Sequence, residues 1–129
     1  LLLTRECEYA LRILRELKDE EMKMIKSVSK SQHIPQKFVY KIVAKLQKAG
    51  ILQTRRGSEG GCQLAKPLAE ISLYDVVHAV DARTVYVCVK AHIDCPHNHN
   101  GDCRIHHGFQ ELQYMISNHM RTKTIREIV

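Results

Sequence analysis

The stretch IKSVSKSQHIPQKFVYKIVAKLQKAGILQTRRGSEGGCQLA, residues 25–65, leaves few folds open, because its proline and glycines fall where they must interrupt regular structure. Pro35 lacks an amide proton and suits the start of a helix but not its interior. The break at HIPQ therefore separates a short helix over residues 25–32 from a second one. In that second segment Phe38, Val39, Ile42, Val43 and Leu46 recur at helical spacing, and Gly50 supplies a stop, which predicts a helix over residues 36–49. Two helices across a tight break, the second rich in lysine, form a helix-turn-helix. The next apolar runs, residues 51–55 and 62–65, are short and joined through Gly57, Gly60 and Gly61, a hairpin with a basic tip. A helix-turn-helix followed by a basic hairpin is a winged helix.

The flanks extend this frame. Tyr9, Ala10, Ile13, Leu14 and Leu17 make an amphipathic helix of residues 4–20. Ser72 and Asp75 are spaced as a capping pair for a helix through Val76, Val77 and Val80. Residues 81–103 show little periodicity and read as a loop. Beyond them Ile105, Phe109, Leu112, Ile116 and His119 repeat at an average of about 3.5 residues, the period of a helix packed along another helix, here a partner chain's. Thr124 and Glu127 have capping-box spacing for a final turn. The expected fold is mainly α with a small β-hairpin wing: a winged helix-turn-helix plus a long dimerisation helix. Its expected parts are a DNA-binding domain (1–80), a cysteine-rich loop (81–103), and a dimerisation helix with C-terminal turn (104–129).

Charge points to the partner. Residues 36–66 hold seven lysines or arginines and one acid, Glu59, within a chain of formal charge +6. Such a patch attracts phosphates. With the apolar stripe turned inward, Gln36, Lys37, Tyr40 and Lys41 face outward near the helix start and are the base-reading candidates in a DNA major groove. Lys45 and Lys48 are placed at phosphate or water. Arg55 and Arg56, beside Gly57, can enter a narrow minor groove. No apolar run approaches the eighteen residues of a membrane span, and the LLLTRECEYALRIL start turns charged after four residues, so a soluble, cytoplasmic chain without a signal peptide is expected.

The remaining chemistry is in CVKAHIDCPHNHNGDC, residues 88–103. Five cysteines, with Cys88, Cys95 and Cys103 in one loop, suit metal or redox chemistry better than a disulfide framework. Structural zinc sites draw ligands in tight C-x2 to C-x4 pairs, whereas the spacing here is C-x6-C-x7-C. A loop draping three thiolates around a larger object suits an iron–sulfur cluster, two-iron or four-iron. Zinc is the alternative, with His97 and His99 as additional ligands. The position left open has two candidates: His106, three residues after Cys103, and Glu8, which would arrive from elsewhere in the fold or from a partner subunit. Cys7 and Cys62 are read as small packing residues.

The ordered combination of the LLLTRECEYALRIL start, the KLQKAGIL run, the RGSEGG wing, EISLYDVVHAVD, the cysteine triplet and the closing TIREIV resembles the Rrf-two family of bacterial winged-helix regulators over essentially the whole chain. That resemblance implies a homodimeric DNA-binding regulator with a cluster on Cys88, Cys95 and Cys103. By position it implies that Lys37, Tyr40 and Lys41 read the major groove, that Arg56 and Gly57 form the wing pair, and that His106 or Glu8 completes the ligand set. The cysteine spacings are longer here than the common five and five, so cluster type and fourth ligand stay open.

The leading function is a transcription regulator whose operator binding follows iron, redox or nitric oxide status through the cluster. The alternatives are a zinc-bound or thiol-redox switch on the same fold, or a module docking on a metabolic enzyme. An enzyme is not expected: no paired carboxylates lie beside the cysteine loop, no nucleotide-binding glycine motif is present, and little chain is left for a substrate pocket.

Overall fold

The computed structural model describes residues 3–82, 95 and 101–129. The first helix, α1, spans Arg5–Glu16 and buries Cys7, Ala10, Ile13 and Leu14. It stops short of the expected residue 20 because Leu17 leaves helical geometry and Glu20 turns left-handed, at φ 65°. The Lys23 ammonium then satisfies the Glu16 carbonyl at 2.8 Å.

Helix α2, Ile25–Gln32, ends where expected, with His33 in the left-handed region at φ 53°, ψ 44°. The turn is tied twice: Ile34 N donates to the Ser29 carbonyl at 3.1 Å, and Ser29 Oγ donates to the Ile34 carbonyl at 2.6 Å. Pro35 at φ −54° then starts α3, Gln36–Lys48, which buries Val39, Ile42, Val43 and Leu46. Gly50, at φ 74°, follows the end of α3.

Strands β1, Leu52–Arg55, and β2, Gly61–Leu64, pair antiparallel from Leu52 opposite Leu64 to Arg55 opposite Gly61. A third extended segment, not expected from the sequence, joins them: Lys23 and Cys62 exchange two backbone hydrogen bonds of 2.9 Å. A 3-10 turn at Leu68–Glu70 leads to α4, Leu73–Val80. The expected capping box is formed, with Asp75 N donating to Ser72 Oγ at 3.1 Å and Ser72 N to Asp75 Oδ2 at 2.9 Å. The expected loop of 81–103 lies mostly outside the described residues.

Helix α5, Arg104–Thr122, covers the expected long helix and stops before Thr124. It is followed by α6, Ile125–Ile128, capped by Thr124 N donating to Glu127 Oε2 at 2.7 Å. The return is anchored by Leu73 N to the Lys123 carbonyl and Ile125 N to the Ile71 carbonyl, both 2.8 Å. Ile125 and Met120 thereby join a largely aliphatic core of Ile13, Leu14, Leu17, Ile42, Leu46 and Ile71. The Arg121 guanidinium lies 3.9 Å from the Tyr74 ring centroid, and Tyr74 stacks on His78 at 5.5 Å. Only Ser117 and Met120 of α5 are buried. Ile105, Phe109 and Leu112 of the predicted stripe are exposed, with Tyr114 and Met115 beside them.

Candidate nucleic-acid interface and metal centre

The amphipathic pattern of α3 packs one face on the core and turns Gln36 and Tyr40 outward, Tyr40 with 56% of its surface exposed. The hairpin folds back beside it. Between them lies an open groove of about 570 Å³ that brings Gln36, Tyr40 and Gln47 of α3 together with Arg55, Arg56 and Gly57 of the wing. Five of the seven expected DNA-facing residues thus share one surface. Lys26, Gln47 and Thr54 line it as well and were missed by sequence reasoning, because the groove depends on a hairpin angle that periodicity does not encode. The described residues lining the groove include no acid.

Two glycines set the wing's approach. A side chain at Gly60 would strike the Arg55 carbonyl, and one at Gly61, at φ 147°, would strike the Lys23 carbonyl. Gly57, at φ 105°, faces open space.

The other expected DNA-facing side chains lie off the groove. Lys37 is exposed, its ammonium 5.6 Å from the Phe38 ring centroid. Lys41 is paired with Glu6 of α1. Lys45, expected at phosphate or water, instead donates to Glu6 Oε2 at 2.8 Å and to the Val80 carbonyl at 2.7 Å. Hydrogen bonds from Lys41, then Lys45, hold the Glu6 carboxyl below the usual carboxylate range. Glu6 escaped sequence reasoning because a partly exposed acid on a first helix carries no signal.

At the cysteine loop, Cys103 caps α5, and His107 N donates to its carbonyl at 3.0 Å. The His107 Nε2 lies 2.8 Å from the carbonyl of Gly101, whose φ is 73°. His106 Nδ1 is buried and has no hydrogen-bond partner among the described residues. A buried imidazole nitrogen without a partner is costly unless something else uses its lone pair. Cys95 and Cys103 are partly buried, and Cys88, His97 and His99 lie outside the described residues. Glu8 is 59% exposed in its side chain and faces Arg12 Nη1 at 3.4 Å. Among the described residues no three potential ligands converge on one point. By chemical type, the partly buried sulfurs of Cys95 and Cys103 and the His106 Nδ1, without a partner among the described residues, are donors of the kind a soft metal cluster takes.

Cys7 and Cys62 are core residues, 1% and 0% exposed, as expected. Burial pushes the Cys62 thiol up to about 11. Among the described residues no helix is long and apolar enough to cross a membrane.

Residues 3–129 match the family model Rrf2, described as "Iron-dependent Transcriptional regulator". The chain is 35% identical over 98 residues to protein aau3 of Rhizobium meliloti, covering 73% of this chain. It is 39% identical over 94 residues to the HTH-type transcriptional regulator NsrR of Geobacillus kaustophilus, covering 70%. Each alignment spans 64% of the relative's own length. The fold is similar to that of T. potens IscR, with a TM-score of 0.70 at 17% identity, over 98% of this chain and 84% of that one.

Proposed function

Because this chain belongs to the Rrf2 family of transcription regulators, we propose that it acts as a homodimeric regulator that binds a double-stranded DNA operator under the control of an iron–sulfur cluster. The observation that carries the DNA-binding part is the groove joining Gln36 and Tyr40 to Arg55, Arg56 and Gly57. The start of α3 enters the major groove, where Gln36, Lys37 and Tyr40 meet base edges and Lys41 lies at the rim. The wing arginines reach the adjacent minor groove, with Gly57 free of side-chain bulk. Residues 1–80 serve as the DNA-binding part, 81–103 as the cluster-holding part and 104–129 as the dimer element. The exposed row of Ile105, Phe109 and Leu112 supports pairing of α5 with its copy.

Cys88, Cys95 and Cys103 would hold the cluster, with His106 or a Glu8 as the remaining ligand. When bound, such a cluster supplies a change of charge and ligation that redox state, iron supply or nitric oxide can set. The chain's own contribution is to hold Cys103 at the N-terminal end of α5. The buried His106 Nδ1 is kept free of competing donors among the described residues. Such control works only through different affinities for the DNA-competent and incompetent forms.

The test is a visible spectrum with iron and acid-labile sulfide assays on protein purified without oxygen. It is followed by binding to a duplex that the protein itself selects from a random-sequence pool. Colour, iron and sulfide in comparable amounts, and affinity that changes on cluster loss are expected. If a dimer neutralises about ten phosphates, log affinity falls against log salt with a slope near −9. Colourless, zinc-containing protein after attempted reconstitution would overturn the cluster reading, and failure to select any duplex would overturn the DNA reading.

A further inference from the structure

The Glu6 carboxylate sits where three helices meet. It takes the ammonium of Lys41 on one oxygen and that of Lys45 on the other, two lysines one turn apart on α3. The two pairs are not equivalent. Lys45 has a second acceptor, the Val80 carbonyl at the end of α4, and its side chain is 34% exposed. For Lys41, 52% exposed, Glu6 is the one hydrogen-bond or ion-pair acceptor among the described residues. At about 100° per residue, Lys41 lies one step round α3 from Tyr40, at the rim of the groove-facing side, and Lys45 lies farther round toward α1 and α4.

We propose that Glu6 is a built-in competitor of the DNA backbone: it withholds Lys41 from phosphate and places a negative charge at the rim of the reading surface. This rests on the DNA-binding reading above. A carboxylate and a phosphate oxygen ask the same of an ammonium, so Lys41 can serve one or the other, whereas Lys45 stays fixed by the Val80 carbonyl whichever Lys41 serves. Glu6 thereby lowers affinity and salt sensitivity together, and does so from outside the groove. The low proton affinity that the two lysines impose keeps the carboxylate charged at neutral pH.

The full-length chain is titrated with the selected duplex over a range of salt, as wild type, Glu6→Gln, Lys41→Ala and the double variant. Glu6→Gln should bind about tenfold tighter per dimer, since releasing an exposed ion pair changes each half-site by a few-fold. Its log–log salt slope should steepen by about 0.9 per chain. Lys41→Ala should cost much less affinity in the wild-type background than in the Glu6→Gln background, where it should erase the gain. An unchanged slope in Glu6→Gln, or an equal effect of Lys41→Ala in both backgrounds, overturns the inference while leaving DNA binding standing. Should Glu6→Gln fold poorly, Lys41→Ala alone decides: a tenfold loss of affinity overturns the proposal. A wild type that selects no duplex overturns both readings.

Discussion

Replacing Gly61 by alanine should detach the wing from the body of the protein. At φ 147° the backbone is in a region almost closed to residues with a β-carbon, which costs about 1–3 kcal/mol for alanine. The added methyl also meets the Lys23 carbonyl, one of the two acceptors in the exchange between Lys23 and Cys62. Losing both 2.9 Å bonds adds about 1 kcal/mol each. The expected loss is about 3–5 kcal/mol, a large part of the roughly 5–15 kcal/mol that keeps a domain folded. Gly57→Ala is the control: its φ is 105°, but nothing lies within 4 Å of the added carbon, so strain alone applies, about 1–2 kcal/mol. Urea denaturation followed by circular dichroism separates the two. With a slope of about 1–1.5 kcal/mol per molar, Gly61→Ala should shift the midpoint about 1–2 M further than Gly57→Ala. Equal midpoints would refute the claim that contact with Lys23, and not backbone conformation alone, requires glycine there.

Leu112, 41% exposed on α5, should be replaceable by aspartate without loss of helix signal. If α5 pairs with its copy, two leucines worth about 1.5–3 kcal/mol each leave the interface, and sedimentation equilibrium should show dimerisation weakened at least about 100-fold. A dimer of unaltered affinity would exclude this face. Burial holds the Cys62 thiol near 11, against 9.0 for an ordinary thiol, so the unfolded chain gives up this proton first. Stability should therefore fall as pH rises from about 9 toward 11, and Cys62→Ala should flatten that decline in urea midpoints. The folded wild type should also leave Cys62 unmodified by iodoacetamide at pH 8.

The order of elements was legible because each was announced by local chemistry: Pro35 before α3, Gly50 after it, Ser72 and Thr124 as caps, and the glycines of the wing. Less visible was anything that depends on elements meeting at a distance. The Lys23 segment carries no strand pattern, since its pairing with Cys62 is one residue long. The 3-10 turn at Leu68–Glu70 has no period of its own. The same limit divides the candidate site. Gln36, Tyr40, Arg55, Arg56 and Gly57 were legible as outward residues of adjacent elements, and the groove unites them. Lys41 and Lys45 carry the same outward pattern, yet Glu6, over thirty residues earlier, decides what they touch.

The exchange between residues 71–73 and 123–125 sets a timetable for the nascent chain. Until Ile125 is made, the place it fills beside Ile71 stays open, and the amide of Leu73 lacks its Lys123 acceptor. About fifty residues separate these partners, so closing that loop adds an entropic cost that the contiguous helix-turn-helix does not carry. At about 5–20 residues per second, the reading head waits several seconds for its last support. The whole of α5, with Ile105, Phe109 and Leu112 among its exposed residues, lies inside the stretch that this closure spans. If α5 pairs with its copy as proposed, the face that meets the second copy is therefore held in place by the same late contact that closes the core.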